Sequence, residues 1–242
     1  MVFFIRYIML IGGKRLVREN LEMVRKNIAA ACKRAGRDVS EVTLLAVSKT
    51  KPISLIEDAI QCGQKEFGEN KVQEIVNKYE EIADESIKWH MIGHLQTNKV
   101  KYIIDKVDLI HSVDSMKLAK VISAEAQKRN VIANILIEVN VAKEDSKFGI
   151  MLEETEEYVR NIALLPNINI RGLMTIAPFV IDSEQNRIHF KKLYKEFIDI
   201  NSKNIDNVNM DVLSMGMTND YEVAIEEGAT IVRVGTGIFG VR

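Results

Sequence analysis

Thr43-Leu44-Leu45-Ala46-Val47-Ser48-Lys49 is an apolar run that stops abruptly at a cation, and the fold follows from how often this pattern recurs along the chain. Its β-branched and aliphatic residues predict a buried strand. A buried strand does not need a lysine at its tip. Where the C-terminal end of a strand opens into a pocket, however, a lysine can act as an amine nucleophile or as an anchor for an anion. A solvated surface lysine is the third interpretation of Lys49.

Short apolar runs of this kind alternate with longer amphipathic runs through the rest of the chain. We predict eight strands, at residues 43–48, 65–68, 89–92, 109–112, 134–139, 169–176, 211–215 and 230–234. Helices are predicted between them, among them helices at 97–104 and 219–227. Another helix, with Val17, Leu21, Val24 and Ile28 at spacings of three and four, precedes the first strand and replaces the one that we do not expect after the eighth. Such alternation predicts an α/β fold with parallel strands, and eight units favour a single (β/α)8 TIM barrel.

The composition is typical of one globular domain. Hydrophobic residues make up 47% of the 242 residues, and the formal net charge is −1. No basic block or polybasic patch indicates a nucleic-acid or membrane partner. The two cysteines are too few for a disulfide framework, so we expect a reduced, cytoplasmic protein. Residues 1–12 are apolar but too short to span a bilayer, and we expect them to form an unstructured extension ahead of a barrel of residues 13–242.

Polar or small residues stand at nearly every predicted strand end, which is where the active site of such a barrel lies. They are Lys49, Glu69, Asn70, Gly93, His94, Ser112, Asp114, Asn140, Met174, Thr175, Ser214, Met215, Arg233, Gly235 and Thr236. A purely structural face does not need polar residues at so many strand ends, although loops are polar for other reasons as well.

Glycine-containing turns follow the seventh and eighth strands, at Met215-Gly216-Met217-Thr218 and at Gly235-Thr236-Gly237. Free backbone amides at such turns can bind phosphate, and this is the usual phosphate site of the fold. The structural alternative is a pair of turn glycines with a threonine N-cap. A lysine at the end of the first strand, across the barrel mouth from a phosphate site, fits a phosphorylated aldehyde held as a Schiff base.

Arg233 ends an otherwise apolar strand, and an inward-facing arginine is costly unless it has a partner. A ring nitrogen, an acid or an ion pair across the barrel could fill that role. His90 and His94 are four residues apart but lie on a strand and its exit, so we expect no metal site from them. His111 alternates with Ile110 and is interpreted as a core histidine.

Several motifs together resemble the pyridoxal phosphate homeostasis proteins over about residues 17–240. The motifs are Ala46-Val47-Ser48-Lys49-Thr50-Lys51-Pro52, Phe67-Gly68-Glu69-Asn70, Trp89-His90-Met91-Ile92-Gly93-His94-Leu95-Gln96, His111-Ser112-Val113-Asp114-Ser115, Leu213-Ser214-Met215-Gly216-Met217-Thr218-Asn219-Asp220 and Arg233-Val234-Gly235-Thr236-Gly237. The resemblance implies a single barrel like the N-terminal domain of alanine racemase, with covalently bound pyridoxal 5′-phosphate (PLP). Thr218 stands where the family commonly has a serine, which keeps the hydroxyl.

The resemblance also implies roles for individual residues, as follows. Lys49 forms the Schiff base with PLP; Ser214, Gly235 and Thr236, with the neighbouring backbone at Met215, hold the phosphate; Arg233 faces the pyridine nitrogen; and Asn70, Met174 and His94 line the ring pocket. A permanent cation at the pyridine nitrogen disfavours its protonation, which makes the ring a poorer electron sink.

We therefore expect a carrier that serves intracellular PLP homeostasis and amino/keto acid balance without efficient turnover. Alanine racemases share that arginine but add a β-rich domain and a tyrosine from across a dimer interface, which we do not expect from a chain that ends at Arg242; this difference favours the carrier and also predicts a monomer. Expected partners are PLP, other B6 vitamers and PLP-dependent apo-enzymes. Two alternatives stay open: a PLP-dependent amino acid racemase or related enzyme, and a Schiff-base aldolase without cofactor.

Overall fold

Strands and helices alternate along the chain in the computed structural model, which describes the backbone of residues 2–144 and 147–240 and the side chains of residues 16–144 and 147–240. The strands are β1 (Thr43–Val47), β2 (Glu66–Glu69), β3 (Lys88–Met91), β4 (Leu109–Val113), β5 (Ala133–Asn140), β6 (Ile150–Met151), β7 (Ile168–Met174), β8 (Val208–Met217) and β9 (Ile231–Val234). The α-helices are α1 (Val2–Ala35), α2 (Ile53–Gln61), α3 (Val72–Ile82), α4 (Met116–Arg129), α5 (Thr155–Ala163), α6 (Arg187–Asn201), α7 (Tyr221–Glu226) and α8 (Thr236–Phe239).

Eight of the strands form a closed parallel barrel, which confirms the predicted fold. The order around it is β1, β2, β3, β4, β5, β7, β8 and β9, and β9 returns to pair with β1. At this closure Thr43 lies opposite Ile231, and Ala46 lies opposite Val234. The short strand β6, which we did not predict, pairs in parallel with the end of β5 outside the ring.

Alternating residues of the strands face two different cores, because the side-chain period of a strand is two. The larger core lies between strands and helices and contains large buried residues such as Phe67, Trp89 and Phe190. The smaller core fills the inside of the barrel. It consists of Leu45, Val47, Ile92, Leu109, Leu136, Met174, Val212 and Ile231.

Helix α1 closes the helical layer at the junction of the two chain ends, as predicted. It buries Val17, Leu21, Val24 and Ile28 and packs against α2, α7 and α8. Its backbone begins at Val2, whereas we expected residues 1–12 to be unstructured. The stretch contains no proline and only one glycine, Gly12, so it has few residues that disfavour a helix. That residues 1–12 stand apart from the barrel stays a prediction.

Three elements differ from the sequence prediction. Residues Thr97–Tyr102 form a 3-10 helix, which suits buried Val100 and Ile103 because side chains three residues apart share a face there. Strand β8 runs to Met217 and not to Met215, and the short helix α8 follows the last strand.

Within the described residues, no helix is both long and apolar enough to span a membrane.

Candidate functional site

A cavity of about 540 Å³ opens at the C-terminal ends of the strands. Among the residues that line it are Lys49, Asn70, Arg233, Gly235 and Thr236, which the sequence analysis proposed as site residues. Its size lies within the range usual for small-molecule sites. Strand β9 brings a guanidinium to this space, and the loops that follow β1, β2, β8 and β9 bring an amine, an amide and hydroxyls.

Lys49 directly follows β1 and lies between two residues whose positions are fixed by hydrogen bonds. The Ser48 hydroxyl donates to Glu69 Oε1 at 2.5 Å, and the Thr50 amide donates to Glu74 Oε2 at 2.6 Å. Thr50 has a φ of 64°, a left-handed conformation that is uncommon for a β-branched residue. The turn that presents Lys49 is therefore held in a conformation that Thr50 does not favour by itself.

Lys78 joins the residues on both sides of this turn into one buried network. Its Nζ donates to Glu69 Oε1 at 2.8 Å, to Glu74 Oε2 at 3.0 Å and to the Ser48 carbonyl at 2.9 Å. Burial raises the pKa of Glu69 to about 7, although Lys78 and Ser48 oppose that rise. Burial also favours the neutral form of Glu74, but the Thr50 amide and Lys78 outweigh it, and the pKa of Glu74 is lowered. Glu69 thus supports the turn from behind and is not a cavity residue.

Asn70 reaches the cavity because the loops after β2 and β3 approach each other closely. A Cβ at Gly93 would lie 2.4 Å from the Asn70 carbonyl oxygen, so only glycine fits at this position. The Gly93 carbonyl also accepts a hydrogen bond from the buried Ser112 hydroxyl at 2.6 Å. Glycine and serine at these strand ends thus have a packing role that places Asn70.

The loops after β8 and β9 meet at the side of the cavity where we predicted phosphate binding. The Thr236 hydroxyl donates to the Thr218 hydroxyl at 3.2 Å, and both threonines line the cavity. Glycine allows this approach, since a Cβ at Gly237 would lie 2.9 Å from Val234 Cγ1 and 3.2 Å from Thr218 Cγ2. Two hydroxyls therefore lie together beside the first turn of α8.

Asp220, which is buried, holds the loop after β8 in place. Its Oδ1 accepts from the Met217 amide at 2.7 Å, and its Oδ2 accepts from Asn186 Nδ2 at 2.7 Å. Asp220 and Asn186 also line the cavity. We predicted a role for neither residue from the sequence, although Asp220 ends the motif of residues 213–220.

Ser214 lies deeper than predicted. Because β8 continues to Met217, the Ser214 hydroxyl points into the barrel and is fully buried below the mouth. It accepts from Arg233 Nη1 at 2.7 Å and lies 3.0 Å from His111 Nδ1. Thr218 occupies the position at the mouth that we had expected Ser214 to occupy.

Three other predicted residues do not line the cavity. The Met215 side chain faces the outer core, because it alternates with Ser214 along β8. Met174 is buried in the apolar core inside the barrel, below the mouth. His94 stands at the rim, where its Nδ1 lies 3.2 Å from Asp114 Oδ2 and its ring stacks on Phe148 at a centroid distance of 3.9 Å.

Arg233 brings a buried cation to the cavity. Besides Ser214, its guanidinium donates to the Thr175 carbonyl through Nη2 at 2.8 Å. Burial lowers the pKa of Arg233 to about 10, and the negative charges of Asp220 and Glu138 oppose that shift. Arg233 therefore remains a cation at neutral pH, with a fixed orientation.

Glu138 is a second buried acid inside the barrel, on β5. Burial raises its pKa to about 7, nearby Asp114 adds to the rise, and Arg233 opposes it. Strand alternation could have indicated that Glu138 faces the inside of the barrel. Leu136 faces inward, and so do the residues two and four positions later. We did not predict a role for Glu138 from the sequence.

Lys147 brings a second amine to the cavity lining. Its Nζ donates to Glu144 Oε1 at 2.8 Å and to the Ala177 carbonyl at 3.1 Å. Residues 145 and 146 of the same loop lie outside the described residues. The cavity thus has amines at two places, Lys49 at the end of β1 and Lys147 in the loop after β5.

Comparison with known proteins gives consistent matches over nearly the whole chain. The family model for the alanine racemase N-terminal domain matches residues 20–242. The pyridoxal phosphate homeostasis protein of Aquifex aeolicus is 48% identical over 224 residues, which cover 93% of this chain and 97% of that protein. The protein of the same name from Escherichia coli is 41% identical over 230 residues, with the same coverage.

Solved structures show the same relationship. PipY of Synechococcus elongatus PCC7942, solved with PLP bound, is 32% identical and superimposes with a TM-score of 0.79, covering 93% of this chain and all of that one. An alanine racemase of Clostridium difficile 630 has a TM-score of 0.73 at 14% identity, over 94% of this chain and 57% of that one. The racemase likeness shows a shared fold alone.

Proposed function

The chain belongs to the family of the pyridoxal phosphate homeostasis proteins, and from this premise we propose that it binds PLP in the cavity as a Schiff base to Lys49. The resemblance that its motifs predicted is thereby confirmed. We propose further that it serves PLP homeostasis and amino/keto acid balance without efficient turnover. When bound, PLP would supply an aldehyde for amines and a ring that accepts electrons.

The observation that carries the proposal is the set of groups that share one cavity. Lys49 offers the amine, Arg233 offers a cation for the ring nitrogen, and the hydroxyls of Thr218 and Thr236 lie at the proposed phosphate end. An aldehyde, a pyridine ring and a phosphate are the three parts of PLP, so the residues fit the cofactor. This assignment replaces Ser214 by Thr218 as the serine or threonine that contacts phosphate.

The residues of this chain also support a carrier more than an enzyme. The buried guanidinium of Arg233 opposes protonation of a nitrogen that faces it, since like charges repel. Its two hydrogen bonds, to Ser214 and Thr175, keep it in that orientation. The curated relatives at 48% and 41% identity are named as homeostasis proteins. The racemase alternative is supported by the shared fold only.

A comparison of two ligands tests the phosphate end. We expect PLP to bind far more tightly than pyridoxal, which has the aldehyde and the ring but no phosphate. The variant Thr218→Val should weaken PLP binding by about tenfold to a hundredfold, since a hydrogen bond to a charged group contributes roughly 1.5–3 kcal/mol, and should leave pyridoxal binding nearly unchanged. Thr155→Val, at a hydroxyl on α5 outside the cavity, is the matched control. Equal affinity of the wild-type protein for both ligands would contradict the proposal.

Other parts of the proposal rest on the sequence. We propose a cytoplasmic, monomeric protein of one barrel, residues 13–242, that exchanges PLP with apo-enzymes and also accepts other B6 vitamers. The molar mass measured by light scattering, as the protein elutes from a size-exclusion column, tests whether it is a monomer. Transfer of PLP to a purified apo-enzyme tests the exchange. His94 at the rim and Met174 in the core below the cavity do not line it, so we propose them only as neighbours of the ring whose substitution should alter the absorbance of bound PLP.

A further inference from the structure

A continuous series of polar contacts crosses the inside of the barrel from the cavity to its opposite end. Arg233 Nη1 lies 2.7 Å from Ser214 Oγ, and Ser214 Oγ lies 3.0 Å from His111 Nδ1. His111 Nε2 then lies 2.9 Å from His90 Nδ1. His90 Nε2 lies 3.4 Å from Glu66 Oε2, which is a contact between charges and not a hydrogen bond, since this nitrogen has no hydrogen-bond partner among the described residues. The series thus joins the cation at the cavity to a carboxylate at the start of β2.

The chemistry of these groups gives the series one direction. A guanidinium can only donate, so the Ser214 oxygen accepts from Arg233. Ser214 Oγ has two lone pairs, so it can either donate its hydrogen to an unprotonated His111 Nδ1 or accept from a protonated one, and the carboxylate at the other end of the series favours the first arrangement. His111 consequently carries its hydrogen on Nε2 and donates it to His90 Nδ1.

The same reasoning continues to the far end. Because His90 Nδ1 accepts from His111, His90 carries its own hydrogen on Nε2, which faces the carboxylate of Glu66. Burial raises the pKa of Glu66, but His90 and Lys88 outweigh burial and lower it, so this group is an anion at neutral pH. Every donor in the series therefore points from Arg233 towards Glu66.

The surroundings of His111 disfavour the imidazolium form that would break this order. His90, His111 and Ser214 are each almost completely buried. Burial, together with the nearby His90 and Arg233, lowers the pKa of His111 well below its ordinary value. A neutral imidazole has one donor and one acceptor nitrogen, which is what each position in the series requires.

We propose that Glu66, His90 and His111 are positioning residues for Arg233. The negative charge of Glu66 beside His90 Nε2 favours hydrogen on that nitrogen and thereby fixes the tautomers of both histidines, so that Ser214 directs its hydrogen to His111 and keeps a lone pair aimed at the guanidinium. The bottom of the barrel thereby sets the orientation of the cation at the cavity. The consequence for a bound PLP ring rests on the proposed function, whereas the order of the hydrogen bonds does not.

Nuclear magnetic resonance of the full-length protein labelled with [15N]histidine tests the order directly. The chain has four histidines. The signals that are lost in His94→Gln and His189→Gln belong to those two residues, so the signals that remain belong to His90 and His111. We expect His90 and His111 to be neutral at neutral pH, both with hydrogen on Nε2. An imidazolium, or hydrogen on Nδ1 of either residue, would overturn the proposal without any reference to PLP.

The variants of Glu66 test the positioning role. Glu66→Leu should abolish the single tautomer of His90 and His111 and shift the guanidinium signals of Arg233, which is four contacts away. Glu66→Gln, which keeps an acceptor oxygen but not the charge, should restore the tautomers only in part. Lys88→Gln removes the other ion-pair partner of Glu66, at 3.4 Å, without touching the series, and is the matched control.

The two proposals fail in distinguishable ways. In protein saturated with PLP, we expect Glu66→Leu and Ser214→Ala to shift the absorbance of the bound cofactor in the same direction. If Glu66→Leu leaves the Arg233 signals unchanged, the positioning role is wrong. If the tautomers are as expected but PLP does not bind, the hydrogen-bond order stands and the proposed function fails.

Discussion

Glu138→Gln should be more stable than the wild type at neutral and alkaline pH, and this gain in stability should shrink as the pH falls. The pKa of Glu138 in the folded protein is about 7, raised from 4.5 mainly by burial. Between these two values the folded protein keeps a proton that the unfolded chain has lost, so wild-type stability falls as the pH rises. A difference of about 2.5 pKa units corresponds to roughly 3 kcal/mol. Glutamine stays neutral and does not pay this cost.

Urea denaturation of both proteins over a series of pH values measures the effect. The free energy of unfolding of Glu138→Gln minus that of the wild type should increase by about 3 kcal/mol from pH 4.5 to pH 8 and then level off. His111, whose lowered pKa acts in the opposite direction, is present in both proteins and cancels. Glu157→Gln, at an exposed position on α5, controls for the chemistry of the exchange. A difference that stays constant with pH to within about 0.5 kcal/mol would refute the reasoning.

Further predictions concern stability and turnover. Lys78→Met leaves Glu69 buried without its cation, and the free energy of unfolding should fall by about 3 kcal/mol, with Tm lower by roughly 9 °C in a thermal scan; an unchanged Tm would contradict the network. Gly216→Ala places a Cβ 2.5 Å from Ala224 Cβ at a residue with φ of 87°, so it should cost about 2 kcal/mol or more in urea denaturation. Steady-state assays of PLP-saturated protein with several amino acids should show racemisation far below about 1 per second, and ordinary enzymatic rates would refute the carrier.

The sequence predicted the barrel because its information is local. Each strand is an apolar run and each helix an amphipathic one, and both patterns are visible in a window of a few residues. The ends of strands are less well determined. Gly216, with a φ of 87°, is typical of a turn, yet it lies within β8, which continues to Met217. This difference of two residues explains why Thr218, and not Ser214, lines the cavity.

The supporting residues could not be predicted, because they depend on contacts between distant elements. Lys78 lies on α3 and looks like a surface lysine in the sequence, but the fold places it against Glu69 and the Ser48 carbonyl. Glu69 itself differs from Asn70 by one position, and strand alternation alone decides which of the two faces the cavity. His111 was interpreted as a core histidine, and its role beside Ser214 emerges only when β4 and β8 face each other inside the barrel.

The Schiff base to Lys49 is the central claim, and one measurement tests it most directly. The protein is saturated with PLP and treated with borohydride, which reduces the imine to a stable secondary amine. It is then digested for peptide mass mapping. We predict a single pyridoxyl adduct, on Lys49, and its loss from that peptide in Lys49→Ala. An adduct of the wild-type protein on Lys147, the other amine that lines the cavity, or on any lysine other than Lys49, would contradict the account.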